Sequence, residues 1–422
     1  MWNYLKNSQG KDEKTNTISS TGNALRRRSV STIVFMVFAL NIASLTLTLL
    51  TREIGATFFG SDTQATVGIT SQLSTIGFAA EVAAGIAMSL LAIRFAHKAL
   101  LLVGITLQVV SAAGSFLAPT FLWMQFFFAM EGVGAVLSSV AVITLIGDFV
   151  PQNRKAKAVS YISAAVFLAT FTGALMIPVA ADLGTWRYAY LLLALPFSAA
   201  AFVASYFGIP SISHAHQSAV EKERYVGSFK QVLLNKSAVA CLVAGLFFSG
   251  VIGLFAVNFF RQQFWSDLSL SLQAQYASYV VMVSTLLFAI GSLVTGRLAS
   301  RFGVKTLTAV GAFGDGVFIA LLFLAPNFWM ALAFNWLHVW FATTAGTALA
   351  CLALDQVPEA RGTMMSLQGV FGNIGNTIAP AIGGALLIWA SYQALGFVLG
   401  AMSMIASAII LLLANDHSRV AE

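Results

Sequence analysis

The sequence predicts an all-α membrane protein, with 12 transmembrane helices in two pseudo-symmetric six-helix bundles. Three observations carry that prediction. Hydrophobic residues make up 58% of the 422 residues and charged residues only 9%, whereas a soluble domain carries about 25% charged residues. Apolar stretches of about 18 residues or more recur along the whole chain, each long enough to span a bilayer. They are unbroken, whereas barrel strands would alternate over about ten residues.

Residues 1–28 are polar, with Lys6, Lys11, Lys14 and the run Arg26, Arg27, Arg28. A signal peptide would place its apolar region nearer the start, so this stretch reads as a disordered, uncleaved cytoplasmic tail. Spans follow at 29–51, 66–92, 99–118, 121–146, 158–180, 186–208, 237–260, 273–297, 304–324, 328–353, 363–388 and 393–414. Pro and Gly punctuate the connections, as in APTF at 118–121 and APNF at 325–328. The first bundle is therefore 29–208 and the second 237–414. Between them, 209–236 is a polar linker with mixed charge (EKER at 221–224), and 415–422 is a short tail. Cys241 and Cys351 fall within apolar segments and imply neither a disulfide nor a metal cluster. No cofactor is implied.

Lys and Arg set the orientation. With the N-terminus inside, the cytoplasmic side collects 20 of the 23, and only Arg52, Arg187 and Arg261 face outward. That bias predicts both termini in the cytoplasm of a multi-pass inner (plasma) membrane protein. The net charge of +7 is spread over short loops rather than one soluble face, so nucleic acid is not implied. Snorkelling to the interface explains Arg52 and Arg261.

The halves repeat. RFAHK at 94–98 returns as RFGVK at 301–305, and DFVPQNR at 148–154 returns as DQVPEAR at 355–361, both shifted by 207. Two six-helix units in parallel orientation, joined by a cytoplasmic linker, suit a carrier whose solute sits between them near the midplane.

On these residues the chain resembles the major facilitator superfamily, from about residue 30 to 414. GRLASRFGVK at 296–305 is similar to that family's loop signature, and the Asp–Pro–Arg loops and TWRY at 185–188 also match it. GNIGNTIAPAIGG at 372–384 is similar to the Gly/Pro-rich helix of drug:proton antiporter-like exporters. Ile93, Ala96 and Ser300 depart from the loop signature, and Phe128 stands where such exporters carry an arginine. The resemblance implies that Arg94, Lys98, Asp148, Arg154, Arg297, Arg301, Lys305, Asp355 and Arg361 form gating loops at the inner face.

Polar residues inside the spans supply the candidate site. Glu81, Glu131 and Asp315 are the intramembrane carboxylates and His338 the one imidazole there. At 1.5 Å per residue, Glu81 lies roughly 20 Å above the inner end of its span and Glu131 about 15 Å from the outer end of its own. Charges at such depth cost about 2.5–3.5 kcal/mol and face a bundle interior or wet cavity. Low dielectric disfavours a charged carboxylate, which makes Glu81 and Glu131 candidate proton carriers. His338 is Glu131 plus 207, the matching depth in the second half. Asp315, between Gly314 and Gly316, reads equally well as a packing element.

Trp336 and Trp340, four apart, share a helix face and could hold a cationic or amphipathic solute by cation–π contact. Asn41, Asn258, Asn373 and Asn376 are candidate hydrogen-bonding groups for a solute, with helix packing as the alternative for each. The substrate-binding set is thus Asn41, Glu81, Glu131, Asn258, Trp336, His338, Asn373 and Asn376.

Proton-coupled efflux of an amphipathic or cationic compound by a monomer is the first expectation. Proton-coupled uptake or uniport of a metabolite is the alternative. An enzyme is not expected: an intramembrane aspartyl protease needs two facing aspartates, and no Walker motif occurs. A membrane sensor on a transporter fold is the reading from another class.

Overall fold

The computed structural model describes residues 2–60, 63–94, 97–149, 155–209, 219–248, 254–260 and 274–416. The side chains of 2–29, 88–94, 143, 146–149, 155–159, 219–226, 274–277 and 300 lie outside that description. The first half comprises α1 (Trp2–Phe59), α2 (Gln64–Arg94), α3 (His97–Leu117), α4 (Phe121–Phe149), α5 (Lys155–Asp182) and α6 (Arg187–Gly208). A linker helix follows, α7 (Ala219–Leu234). The second half comprises α8 (Lys236–Phe248), the helical residues 254–260, α9 (Ala274–Phe302), α10 (Val304–Leu324), α11 (Phe328–Gln356), α12 (Arg361–Trp389) and α13 (Tyr392–Leu413).

Ten of the described helices are long and apolar enough to cross a membrane, or 11 if the pair Gly227–Leu234 and Lys236–Phe248, bent by 83°, counts as one span. The sequence leads one to expect 12. The expected second span, α2, is long enough at 31 residues but stands outside the ten. Its first half carries Gln64, Thr66, Thr70, Ser71, Gln72 and Ser74, which make hydrogen bonds or line a cavity rather than face lipid. The seventh is α8 plus 254–260, with 249–253 outside the described residues.

One expectation is corrected. The N-terminal tail is helical from Trp2 and continuous with α1. Residues 2–28 contain no proline, and extending a helix already formed is far easier than nucleating one.

Within the first half, α1 packs on α5 and α6, α3 on α4 and α6, and α2 on α4. Within the second, α10 packs on α11 and α13, α9 on α11, and α8 on α12 and α13. Small residues set the tight crossings, as they do where lipid removes any hydrophobic drive. A Cβ at Gly104 would strike Ser138 and the Gly134 carbonyl, and one at Gly311 would strike Ala345. Gly104 with Ser138 and Gly311 with Ala345 are the same pair shifted by 207, so the sequence repeat is also a packing repeat. At the APNF connection, Asn327 caps α11 by accepting from the Met330 amide at 2.9 Å.

Two seams join the halves, α2 against α12 and α5 against α9. In the first, the backbones of Gly68 and Gly384 meet so closely that a Cβ on either would hit the other's carbonyl. Gln64 donates to the carbonyls of Leu387 (3.2 Å) and Ala390 (3.1 Å), and Gln72 to Pro380 (3.4 Å). These contacts run along the first turns of α2, at the face opposite the Lys/Arg-rich connections. In the second seam, Phe167 meets Phe288 at mid-helix, 5.7 Å between ring centroids. Nearer the basic face α2 exposes Ile86 and α9 exposes Leu293, and no atom lies within 4 Å of a Cβ built at Gly296 on α9 or Gly369 on α12. Among the described residues, the named contacts between the halves run from the opposite face to mid-depth.

Candidate functional site

A cavity of about 850 Å³ lies within the first half, walled by α1, α2, α3, α4 and α5. Asn41, Glu81 and Glu131 all line it. A backbone contact brings the two carboxylates to one wall. Gly132 on α4 presses so closely on Gly77 of α2 that a Cβ there would overlap the Gly77 carbonyl. Glu131 is next to Gly132, and Glu81 lies one turn beyond Gly77 on the same helix face. Glu81 is within electrostatic reach of Glu131. Apolar side chains, among them Leu40, Leu47, Phe78 and Phe128, complete the walls.

Glu81 also reaches across the seam, where its Oε2 accepts a hydrogen bond from Asn373 Nδ2 on α12 at 3.1 Å. One carboxylate therefore lines the cavity with a second carboxylate and bonds the other half. Asn41 Nδ2 donates to the Val37 carbonyl one turn back, at 2.8 Å.

Three polar groups went unread in the sequence. Gln108 on α3 donates to Ser138 on α4 at 3.1 Å, and both line the cavity. Tyr190, 2% exposed, lies within electrostatic reach of Glu131. It opens a π-helical turn, Tyr190–Ala194, in α6; such turns concentrate at functional positions. The signal for Ser138 was its spacing of seven from Glu131, which puts both on one face of α4.

The remaining candidates scatter. Among the described residues, His338 lines a second cavity of about 330 Å³, walled by α5, residues 254–260, α9 and α11. Its Nδ1 lies 2.7 Å from Asp315 Oδ1, and the Ser403 hydroxyl donates to Asp315 Oδ2. Asn258 is buried and bonds the Leu254 carbonyl of its own helix at 2.8 Å, while Phe255 and Phe259 pack in the core beside it. Trp336 is 39% exposed and lines neither cavity. Asn376 is half-buried and also lines neither.

Of the gating set, Lys98 ties the start of α3 to the end of α6, donating to the Tyr206 carbonyl at 2.8 Å and lying over its ring. Arg301 lies over the ring of Phe302. Arg297 and Arg361 are exposed, and Lys305 and Asp355 half-buried. The side chains of Arg94 and Asp148, and all of Arg154 and Arg261, lie outside the described residues. Arg52 is buried at 8% exposure rather than extended to the interface, a correction to the snorkelling expectation. Arg187 is a clamp: its Nη1 and Nη2 donate to the Phe116 (2.6 Å) and Ala118 (2.8 Å) carbonyls, with Trp186 stacked beneath. These bonds satisfy orphan carbonyls at the C-terminal end of α3, and TWRY owes its place here to that.

Comparison with known proteins bears on the fold. The family model described as Major Facilitator Superfamily matches residues 29–264 and 255–422. The chain is 34% identical over 111 residues to the protein ZINC INDUCED FACILITATOR 1 of Arabidopsis thaliana. It is 30% identical over 111 residues to a probable peptide/nitrate transporter, At3g43790, of the same organism. Each match spans 26% of this chain and 23% of the relative. Among solved structures, a D-xylose-proton symporter superposes with a TM-score of 0.74 at 15% identity, covering 93% of this chain and 98% of that one. The nucleoside transporter NupG superposes at 0.70 with 14% identity, over 92% and 98%. A family model that matches nearly the whole chain, and a fold shared with these transporters, together place it: the chain belongs to the Major Facilitator Superfamily.

Proposed function

We propose that this transporter is a monomeric, proton-coupled exporter that moves an amphipathic or cationic compound across the inner (plasma) membrane by alternating access, with both termini cytoplasmic. One observation carries the reading: Glu81 and Glu131 share a wall of a largely apolar cavity, and Glu81 is hydrogen-bonded to Asn373 of the opposite half.

An apolar chamber of about 850 Å³ is within the size range of small-molecule sites. Its two carboxylates attract either protons or the positive end of a solute, and nearby like charges disfavour both staying ionised at once. A cation that settles between them favours their charged forms, and a proton arriving on either weakens the cation's hold. Exchange of one for the other is then built into one wall. The bond from Asn373 links that exchange to the seam, because a proton on Glu81 Oε2 weakens that oxygen as an acceptor. The basic face is taken as cytoplasmic on the Lys/Arg bias, and the named contacts between the halves stop short of it, which supports entry of solute from inside. The names of the two Arabidopsis relatives are compatible with solute transport.

The test uses purified protein in proteoliposomes with tetraphenylphosphonium as a lipophilic-cation probe. An imposed pH gradient should drive probe movement in the wild type, and Glu81→Gln should abolish that dependence while its melting temperature in detergent stays unchanged. Gradient-driven movement that persists in Glu81→Gln removes the carboxylate from the mechanism.

A further inference from the structure

We propose that His338, backed by Asp315 and Ser403, is a second proton-exchange site, set in the second half and opening on the seam between the halves. The inference rests on the transport reading above, but on none of the residues that carry it.

The cluster is closed on one side. Asp315 is 1% exposed, and its two oxygens are taken by His338 Nδ1 at 2.7 Å and by the Ser403 hydroxyl. Three helices, α10, α11 and α13, each supply one member. Polar groups in such a setting need partners, and here they have them, so packing alone explains Asp315 and Ser403. It does not explain where the imidazole sits. With Nδ1 committed to Asp315, Nε2 is the ring nitrogen left over, and His338 lines the 330 Å³ cavity between the halves.

A histidine held by a carboxylate on one nitrogen, in the wall of a cavity, is arranged to change charge in place. A proton from cavity water adds to the Nε2 lone pair. The ring becomes imidazolium, keeps its Nδ1–H bond to the Asp315 carboxylate, and gives the proton back by the reverse step. No heavy-atom bond forms or breaks.

The surroundings leave that role to His338. From α10 the facing titratable group is Asp315, and from α13 the facing group is the Ser403 hydroxyl. Elements α9 and α5 present Ser284, Thr285 and Thr170 with apolar chains, and the described residues 254–260 present only apolar chains to the cavity. One turn back on α11, Asn335 donates to Ser284 at 2.9 Å, fixing α9 against α11 beside the ring. The remaining wall is α5 of the first half, with Phe167 on Phe288. Movement of α5 relative to α9 therefore changes what covers the imidazole, which ties its access to the motion of the halves.

The direct test is histidine-selective carbon-13 NMR on the full-length protein in lipid nanodiscs. In the variant His97→Gln/His214→Gln/His216→Gln/His417→Gln, His338 is the one histidine left. Its ring resonance should follow a single titration on varying pH, and adding Asp315→Asn should change that titration. A resonance that stays fixed across the pH range in folded protein overturns the proposal. The second arm is the pH profile of probe transport: His338→Gln should remove one limb of the profile, and a folded His338→Gln with the wild-type profile also overturns it. Should Glu81→Gln leave gradient-driven transport intact while His338 titrates, the carboxylate reading fails and this one stands.

Discussion

Glu131 and His338 occupy the same depth of the fourth helix in each half, 207 residues apart, and Gln108 and Asp315 occupy the third helix at the same offset. In the first half these two positions stay apart. Gln108 turns to Ser138, Glu131 shares the cavity wall with Glu81, and all four line one large cavity. In the second half the same two positions are bonded to each other, and Ser403 closes the group. One packing frame, with its Gly104–Ser138 and Gly311–Ala345 crossings, thus supports an open polar wall on one side and, on the other, a mutually bonded polar knot whose histidine edges a smaller cavity. The difference lies in side-chain choice. An amide at the third-helix position satisfies itself on a neighbouring serine and leaves the carboxylate to the cavity, whereas a carboxylate there captures the imidazole directly.

The largest expected effect tests the open wall. Glu131→Gln should abolish gradient-driven movement of the probe in proteoliposomes as fully as Glu81→Gln does, because the two act as one site. Retained coupling in Glu131→Gln would separate them. Next comes the contrast itself, read by thermal melting in detergent. Asp315→Ala takes the shared partner, itself 1% exposed, from His338 and Ser403 and should destabilise by about 3 kcal/mol. Gln108→Ala, at the equivalent position beside the cavity, should cost about 1 kcal/mol. Equal losses would erase the distinction between wall and knot.

Of similar or smaller size is Gly384→Val. The added side chain collides with Gly68 and should oppose closure of the first seam by about 1–3 kcal/mol. Labelling of a Gln64→Cys reporter by a membrane-impermeant thiol reagent should then rise about tenfold, the equivalent of 1.4 kcal/mol. The smallest is Asn373→Ala, which removes one hydrogen bond across the seam. It should weaken closure by about 0.6 kcal/mol, roughly threefold in the same labelling assay.

Much of this was legible beforehand, for physical reasons. Long apolar runs have few ways to satisfy their backbone in lipid except as helices, so most spans could be read directly. The offset of 207 exposed the pseudo-symmetry. Glu81, Glu131 and Asn41 stood out because a polar group in a span needs a reason. Orientation was harder. Helices that are apolar all round carry no stripe to mark the inner face, so Trp336 could not be assigned outward nor Asn258 to the core. The Asp315–His338 bond joins residues 23 apart on different helices, and helix neighbourhood, not local spacing, creates it. Nor does any short pattern announce the π-helical turn at Tyr190.

The linker helix α7 has a mechanical consequence. Gln231 donates to Glu359 at 3.3 Å, Asn235 donates to the Gln356 carbonyl at 3.0 Å, and Asn235 Oδ1 takes the first amides of α8. These bonds moor α7 to the second half at the junction of α11 and α12, so α7 is cargo of that half rather than a slack tether. A dye placed on exposed Lys230 would therefore ride with the second half and serve as a fixed marker for its rotation against the first.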